Sequence, residues 1–165
     1  MKGKQVNKLS LYLTIALALA LCACKNDAVF EDQADFENGI WREGNPVSFQ
    51  FKIADASKPY TMDMHIRSSQ EYTYHNLYFR YYLKNAQGDI LQESLENRLL
   101  FDSKTGEPLG AGIGSIKELT FPLIESYTFA DTGWYEIEFR QYMRIAELEG
   151  IWSVGSSLYP IEGQE

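Results

Sequence analysis

Apolar residues recur at every second position through much of this chain, and that period limits what it can become. Val47, Phe49, Phe51 and Ile53 alternate with Ser48, Gln50 and Lys52. Tyr60, Met62, Met64 and Ile66 alternate with Thr61, Asp63, His65 and Arg67, and Leu77, Phe79, Tyr81 and Leu83 with Tyr78, Arg80, Tyr82 and Lys84. Tyr135, Ile137, Phe139 and Met143 share a face opposite Glu136, Glu138 and Arg140. A period of two places every apolar side chain of a segment on one side of a pleated strand. One dry face and one wet face is the pattern of an antiparallel sheet. Four such buried side chains stabilise by roughly 6–12 kcal/mol, whereas ordering seven backbone residues costs about 7–14 kcal/mol. A lone strand gains nothing, so these faces must meet a second apolar layer. No long stretch after the N-terminal region has helical period, and that layer is therefore expected to be another sheet. Turn signals at Asp55 to Pro59, Asn85 to Asp89, Asp102 to Pro108 and Asp131 to Gly133 fall at sandwich-like intervals. Two further strands are weaker: Ile90 to Phe101, where alternation is blurred, and Leu119 to Phe129, where Pro122 points to a sheet edge. The expectation is an all-β protein, an antiparallel β-sandwich of Ig-like or jelly-roll-like kind. A single domain spans 41–165, its start marked by Trp41 and the Asn45-Pro46 turn.

The N-terminus is of another character. Lys2, Lys4 and Lys8 precede the apolar run Leu11 to Leu21. Spanning a bilayer takes about 20 apolar residues, so a run this short fits a signal-peptide core instead. It ends in Leu21-Cys22-Ala23-Cys24, which resembles the lipobox of bacterial lipoproteins, with Cys24 as the lipid acceptor because small Ala23 precedes it. Residues 1–23 are then a lipoprotein signal peptide that is removed, and 24–40 are the lipidated Cys and an acidic tether. Removal takes Cys22 away and acylation consumes the other thiol, leaving no disulfide, thiol nucleophile or thiolate ligand. Residues 24–165 carry 12 basic and 23 acidic side chains. A body that acidic attaches to lipid through acyl chains on Cys24, not by charge. The same balance argues against nucleic acid as a partner, since phosphate contacts need a basic face.

The search for chemistry returns little. His65 and His75 are the two imidazoles, without zinc-binding spacing. His65 falls on the wet face of its strand, and His75 in a Tyr-rich loop where packing or hydrogen bonding is its expected role. The run Gly110-Ala111-Gly112-Ile113-Gly114-Ser115 lacks the spacing and the following Lys of a phosphate loop, and reads as tightly turning backbone. Ser115 has no nucleophile-elbow context, no calcium-loop pattern occurs, and nothing selects a carboxylate pair for glycoside hydrolysis. No catalytic residue, metal site or cofactor is assigned, and the chain reads as a non-enzyme. The candidate interaction patch is Arg67, Tyr72, Tyr74, Asn76, Tyr78 and Tyr82, which crowd one loop and one expected solvent face. Exposed Tyr and Arg are enriched at interfaces, and cross-strand Tyr pairing that stabilises the sheet is the competing explanation.

Several spaced motifs can be compared with a family. Ile66-Arg67-Ser68-Ser69-Gln70-Glu71-Tyr72-Thr73-Tyr74-His75-Asn76-Leu77 resembles an Arg, spacer, Asp/Glu-Tyr-x-Tyr-x-Asn-Leu signature. Gly106, Leu109-Gly110-Ala111-Gly112 and Ile116-Lys117-Glu118 look like its Gly-rich middle. Gln141-Tyr142-Met143-Arg144, Leu148-Glu149-Gly150-Ile151 and Val154-Gly155 look like its closing motif. With the lipobox, Trp41 and the Val47–Phe51 strand, this set is similar to the gliding-motility lipoproteins of the GldH family from Bacteroidetes. One departure is the tail after Val154-Gly155, which suggests a short last strand. The resemblance implies a lipid-anchored envelope lipoprotein, in the outer membrane at either the periplasmic face or the cell surface, with partners in the gliding-motility and type IX secretion machinery. It implies no enzymatic activity and no cofactor. Acidic residues after the lipidated Cys also loosely resemble surface-export signals of Bacteroidetes lipoproteins, the alternative to a plain tether. A carbohydrate-binding sandwich that uses the same tyrosines as a stacking platform is the second functional class left open.

Overall fold

A computed structural model describes residues 28–161. Cys22, Cys24, the expected signal peptide and the first residues of the expected tether lie outside the described residues. The described residues form ten strands: β1 (Phe30–Asp35), β2 (Ile40–Arg42), β3 (Val47–Ile53), β4 (Tyr60–Ser69), β5 (Asn76–Asn85), β6 (Ile90–Leu99), β7 (Ile116–Tyr127), β8 (Gly133–Gln141), β9 (Glu147–Glu149) and β10 (Ile151–Pro160). One four-stranded sheet runs β1-β10-β4-β7, a second runs β3-β8-β5-β6, and β2 and β9 form a small third pair. Every pairing is antiparallel. Among the described residues no helix is long and apolar enough to cross a membrane.

The antiparallel sandwich stands as the alternation predicts. The inward faces of β3, β4, β5 and β8 supply Phe49, Phe51, Met62, Met64, Ile66, Phe79, Leu83, Ile137 and Phe139, all buried in one core. Phe79 meets Phe139 within its own sheet and Phe121 across the gap, at 6.3 and 6.1 Å between ring centroids. Pro122 does sit on an edge strand, where no ladder hydrogen bond needs its missing N–H. The sheets are stitched on that side by Arg98 of β6. Its guanidinium lies 5.1 Å from the Phe121 ring centre and donates to the Pro122 carbonyl at 3.3 Å.

Three expectations are corrected. The acidic segment before residue 40 is not all tether: Phe30–Asp35 is β1, paired with Leu158 to Ser153 of β10. Its outward carboxylates hide an inward set, Phe30, Ala34 and then Phe36, which packs on the core. Phe30 lies 5.3 Å from Phe51, and Phe36 stacks on Trp41 at 5.5 Å. The folded body therefore includes β1 and does not start at Trp41. The last strand is not short either, since β10 runs ten residues and lies between β1 and β4. Its serines favour it there: Ser156 donates to the Asp63 carbonyl at 2.8 Å, so a small polar side chain is satisfied inside the core. Met143 falls beyond the end of β8 and folds back, its Sδ accepting the Tyr78 N–H at 3.1 Å.

The strands of both sheets share two poles. At one lie the β3–β4, β5–β6 and β7–β8 turns, the entry of the chain at Ala28 and its exit at Ile161, around the Phe51, Tyr60, Phe129 and Tyr135 rings. At the other lie the 70–75, 100–115 and 142–150 segments.

Candidate functional site

The three motif groups singled out in the sequence meet at this second pole. Gly150, between β9 and β10, has φ +83°, and a Cβ there would come within 2.2 Å of the Tyr72 backbone nitrogen. Glycine is needed both for the left-handed conformation and for the close approach. Its carbonyl accepts the Ser69 N–H at 2.9 Å, and Ser69 in turn accepts the Tyr72 N–H, so the turn after β4 is fastened to the turn before β10. The 100–115 segment joins in: Leu100 and Phe101 donate to the His75 carbonyl, and Ala111 pairs with Glu118. Gly110 lies so close to the Glu118 backbone that a Cβ would meet its carbonyl oxygen at 2.5 Å.

The six patch residues separate on this frame. Tyr72 is buried, stacked on Phe101 at 6.1 Å, and its hydroxyl donates to the Asn76 carbonyl at 2.7 Å. Burial pushes its phenol well above the usual tyrosine range, with a smaller contribution from Tyr74. Tyr72 is thus a core pillar and not a surface contact. Arg67 belongs to the other sheet, where its guanidinium lies 3.9 Å from Asp35. Tyr74 is exposed at the rim of the pole, in edge contact with Tyr72. Asn76, Tyr78 and Tyr82 do share the outer face of the β3-β8-β5-β6 sheet. Asn76 donates to Asn97, which donates on to the Tyr78 hydroxyl, at 2.7 and 3.3 Å.

Around Tyr82 this face carries a charge cluster. Lys84 donates to Glu136 at 3.1 Å and to Glu138 at 2.7 Å, and Arg140 donates to Glu138 while lying 5.5 Å over the Tyr82 ring. Burial would raise the Glu138 pKa, but the hydrogen bonds from Arg140 and Lys84 outweigh it and hold the carboxyl below its ordinary value. Burial would likewise lower Lys84, yet its bonds to Glu138 and Glu136 prevail and raise it. Arg80 lies over Tyr142 at 5.5 Å and near Glu93. Guanidinium groups thus already occupy a face of the Tyr82 and Tyr142 rings.

The weak strand expected at Ile90 to Phe101 is β6, but sequence reasoning missed which of its residues face outward. Its register with β5 sets Leu99, Asn97, Leu95 and Glu93 beside Asn76, Tyr78, Arg80 and Tyr82 on the outer face. Leu95 and Leu99 are exposed there, while Gln92, Ser94, Glu96 and Arg98 take the inward positions half-buried. The polarity of this edge strand is inverted, and the signal was present as leucines at 91, 95 and 99, each four apart and so on one face.

His65 bridges three strands of the opposite sheet, its Nδ1 2.9 Å from the Thr120 hydroxyl and its Nε2 2.8 Å from that of Ser157. Both ring nitrogens are engaged by hydroxyls, which suits a strut. The His75 ring is exposed, and its backbone carbonyl makes the contacts. Among the described residues no group of three or more His, Cys, Asp or Glu could hold a metal ion.

Comparison with known proteins bears on this arrangement. A family model described as GldH lipoprotein matches residues 28–158, all of the sandwich but the end of β10. A gliding motility lipoprotein GldH homolog of Christiangramia forsetii is 29% identical over 153 residues, covering 88% of this chain and 92% of that one. Gliding motility lipoprotein GldH of Flavobacterium johnsoniae is 24% identical over 150 residues, covering 87% and 91%. Among solved structures, a family GH115 4-O-methyl-alpha-glucuronidase shares 12% identity at a TM-score of 0.41, with 84% of this chain and 18% of that one covered, a likeness too loose to bear on function.

Proposed function

Because this chain belongs to the GldH lipoprotein family, we propose that it is a non-enzymatic envelope lipoprotein, anchored in the outer membrane by acyl chains on Cys24, which serves as an assembly component of gliding-motility machinery. It acts by holding another envelope protein on the outer face of the β3-β8-β5-β6 sheet. The observation that carries this reading is the inverted edge strand β6. Natural sandwiches blunt their edges with charge or cover, because an unpaired strand recruits other strands. Among the described residues β6 pairs with β5 alone, and it exposes Leu95 and Leu99 beside Tyr78. Such an edge suits an extended segment of a partner, which would add as a further strand and set alternate apolar side chains against the leucines. The tyrosines serve it better as contact area than as a sugar platform, since Arg140 already covers a face of Tyr82.

A photo-crosslinking residue at position 95 of the full acylated chain, in cells, tests this. Capture of motility or secretion components from position 95, and not from position 61 on the opposite sheet, is the expected result. Leu99→Glu should abolish the capture from position 95 while leaving the melting temperature within a few degrees, as the side chain is exposed. Equal capture from both positions, or none from 95, overturns the proposed face.

A further inference from the structure

We propose that the pole formed by the 54–59, 86–89 and 128–132 turns rests on the lipid surface, with Val29, Ile90, Leu91 and Trp134 as its contact residues, so that the strands stand up from the membrane. This rests on the acylation of Cys24. The chain enters the sandwich at that pole, where Val29 donates to the Leu158 carbonyl at 2.8 Å and Phe30 begins β1. Residues 25–29 are all that separate Cys24 from Phe30, and even fully extended the six steps reach about 20–22 Å. A strand of ten residues is about 33 Å long, so the pole that carries Tyr72 and Gly150 lies beyond that reach.

Laying the sandwich on its side would press charge into the headgroups. The outer face of one sheet carries Asp63, His65 and Arg67, and that of the other Lys84, Glu136 and Arg140. The entry pole differs. Trp134 is 56% exposed and Ile90 53%, with Leu91 and Val29 close behind. Leu91, Tyr127 and Trp134 line one open depression of about 280 Å³ beside the Asn85–Gln87 turn. Trp and Tyr favour the depth where hydrocarbon gives way to headgroups, being apolar in body and polar at one tip. Of the carboxylates at this pole, Asp55 accepts from both the N–H and the hydroxyl of Ser57 and Asp89 from Asn85, while Asp131 is exposed beside the depression. They limit the contact to headgroup depth, and the acidic body makes it independent of anionic lipid.

Trp134 makes the test direct, because Trp41 is fully buried and Trp152 half-buried. The acylated full-length protein is bound to phosphatidylcholine vesicles with and without brominated phosphatidylcholine. Bromine should quench severalfold more emission in the wild type than in Trp134→Phe. A reporter at the other pole, Ile113→Trp in the Trp134→Phe background, should be no more quenched than that background, since Ile113 is fully exposed at the tip of the Gly-rich loop. Quenching of the position-113 reporter, or none at Trp134 while the protein floats with the vesicles, overturns this orientation and leaves the anchor standing. Failure of the acylated protein to float overturns the anchor reading, and the orientation with it.

Discussion

Gly150 and Tyr72 are each other's constraint. A methyl group at 150 would overlap the Tyr72 backbone and force a side-chain-bearing residue into φ +83°. Gly150→Ala should therefore lower stability by more than about 2 kcal/mol, visible as an earlier midpoint in denaturant. Tyr72→Phe keeps the stack on Phe101 and loses the hydroxyl bond to the Asn76 carbonyl, so it should cost about 1 kcal/mol by the same measurement. At this scale the sequence was half legible. Tyr78 and Tyr82 follow the period of β5 to the outer face, where they were expected. Tyr72 lies in the loop before that strand, where no period applies, and nothing in a Tyr-x-Tyr spacing says which ring turns inward. Arg67 was grouped with the tyrosines by closeness in sequence, yet the chain changes sheets between β4 and β5 and carries it to the opposite face.

Among elements, the outer face of the β3-β8-β5-β6 sheet offers a pH signature. Glu138 is 6% exposed and bonded by both Lys84 and Arg140. Its folded pKa is depressed, so its contribution is fully present above the ordinary Glu value of about 4.3 and disappears as pH falls through the lower folded value. Glu138→Gln should cost about 1.5–3 kcal/mol at neutral pH, and its melting curve should converge with the wild type as both are acidified below pH 4. A constant gap across that range would show that packing, not charge, holds the site. The strands themselves were read unevenly, for identifiable reasons. β3, β4, β5 and β8 have large apolar residues on one face and polar ones on the other, which is what periodicity detects. In β1 carboxylates outnumber the two inward apolar residues, and in β10 small serines and a glycine lie under neighbouring side chains, so composition masked both. In β6 the apolar residues face outward, so the period was there but its meaning was reversed.

For the whole molecule, the arrangement is polar from end to end. The chain enters at one pole, and the matched motifs gather at the other. Replacement of Cys24 by Ala should leave an uncleaved, larger precursor on a gel, because the signal would lack its lipid acceptor; normal maturation would remove the anchor from this account. The sandwich itself followed from alternation and the thermodynamics of a lone strand, but its boundaries did not, because they depend on pairing between residues far apart in the chain.

That pairing governs the order in which the fold can be completed. β10, made last, lies between β1, made first, and β4, so residues 30–35 have no strand to join until residues 153–158 arrive. A chain delivered from its N-terminus carries an open sheet until β10 arrives, and such long-range closure is slow. By the same topology the C-terminal strand is the latch that closes that sheet.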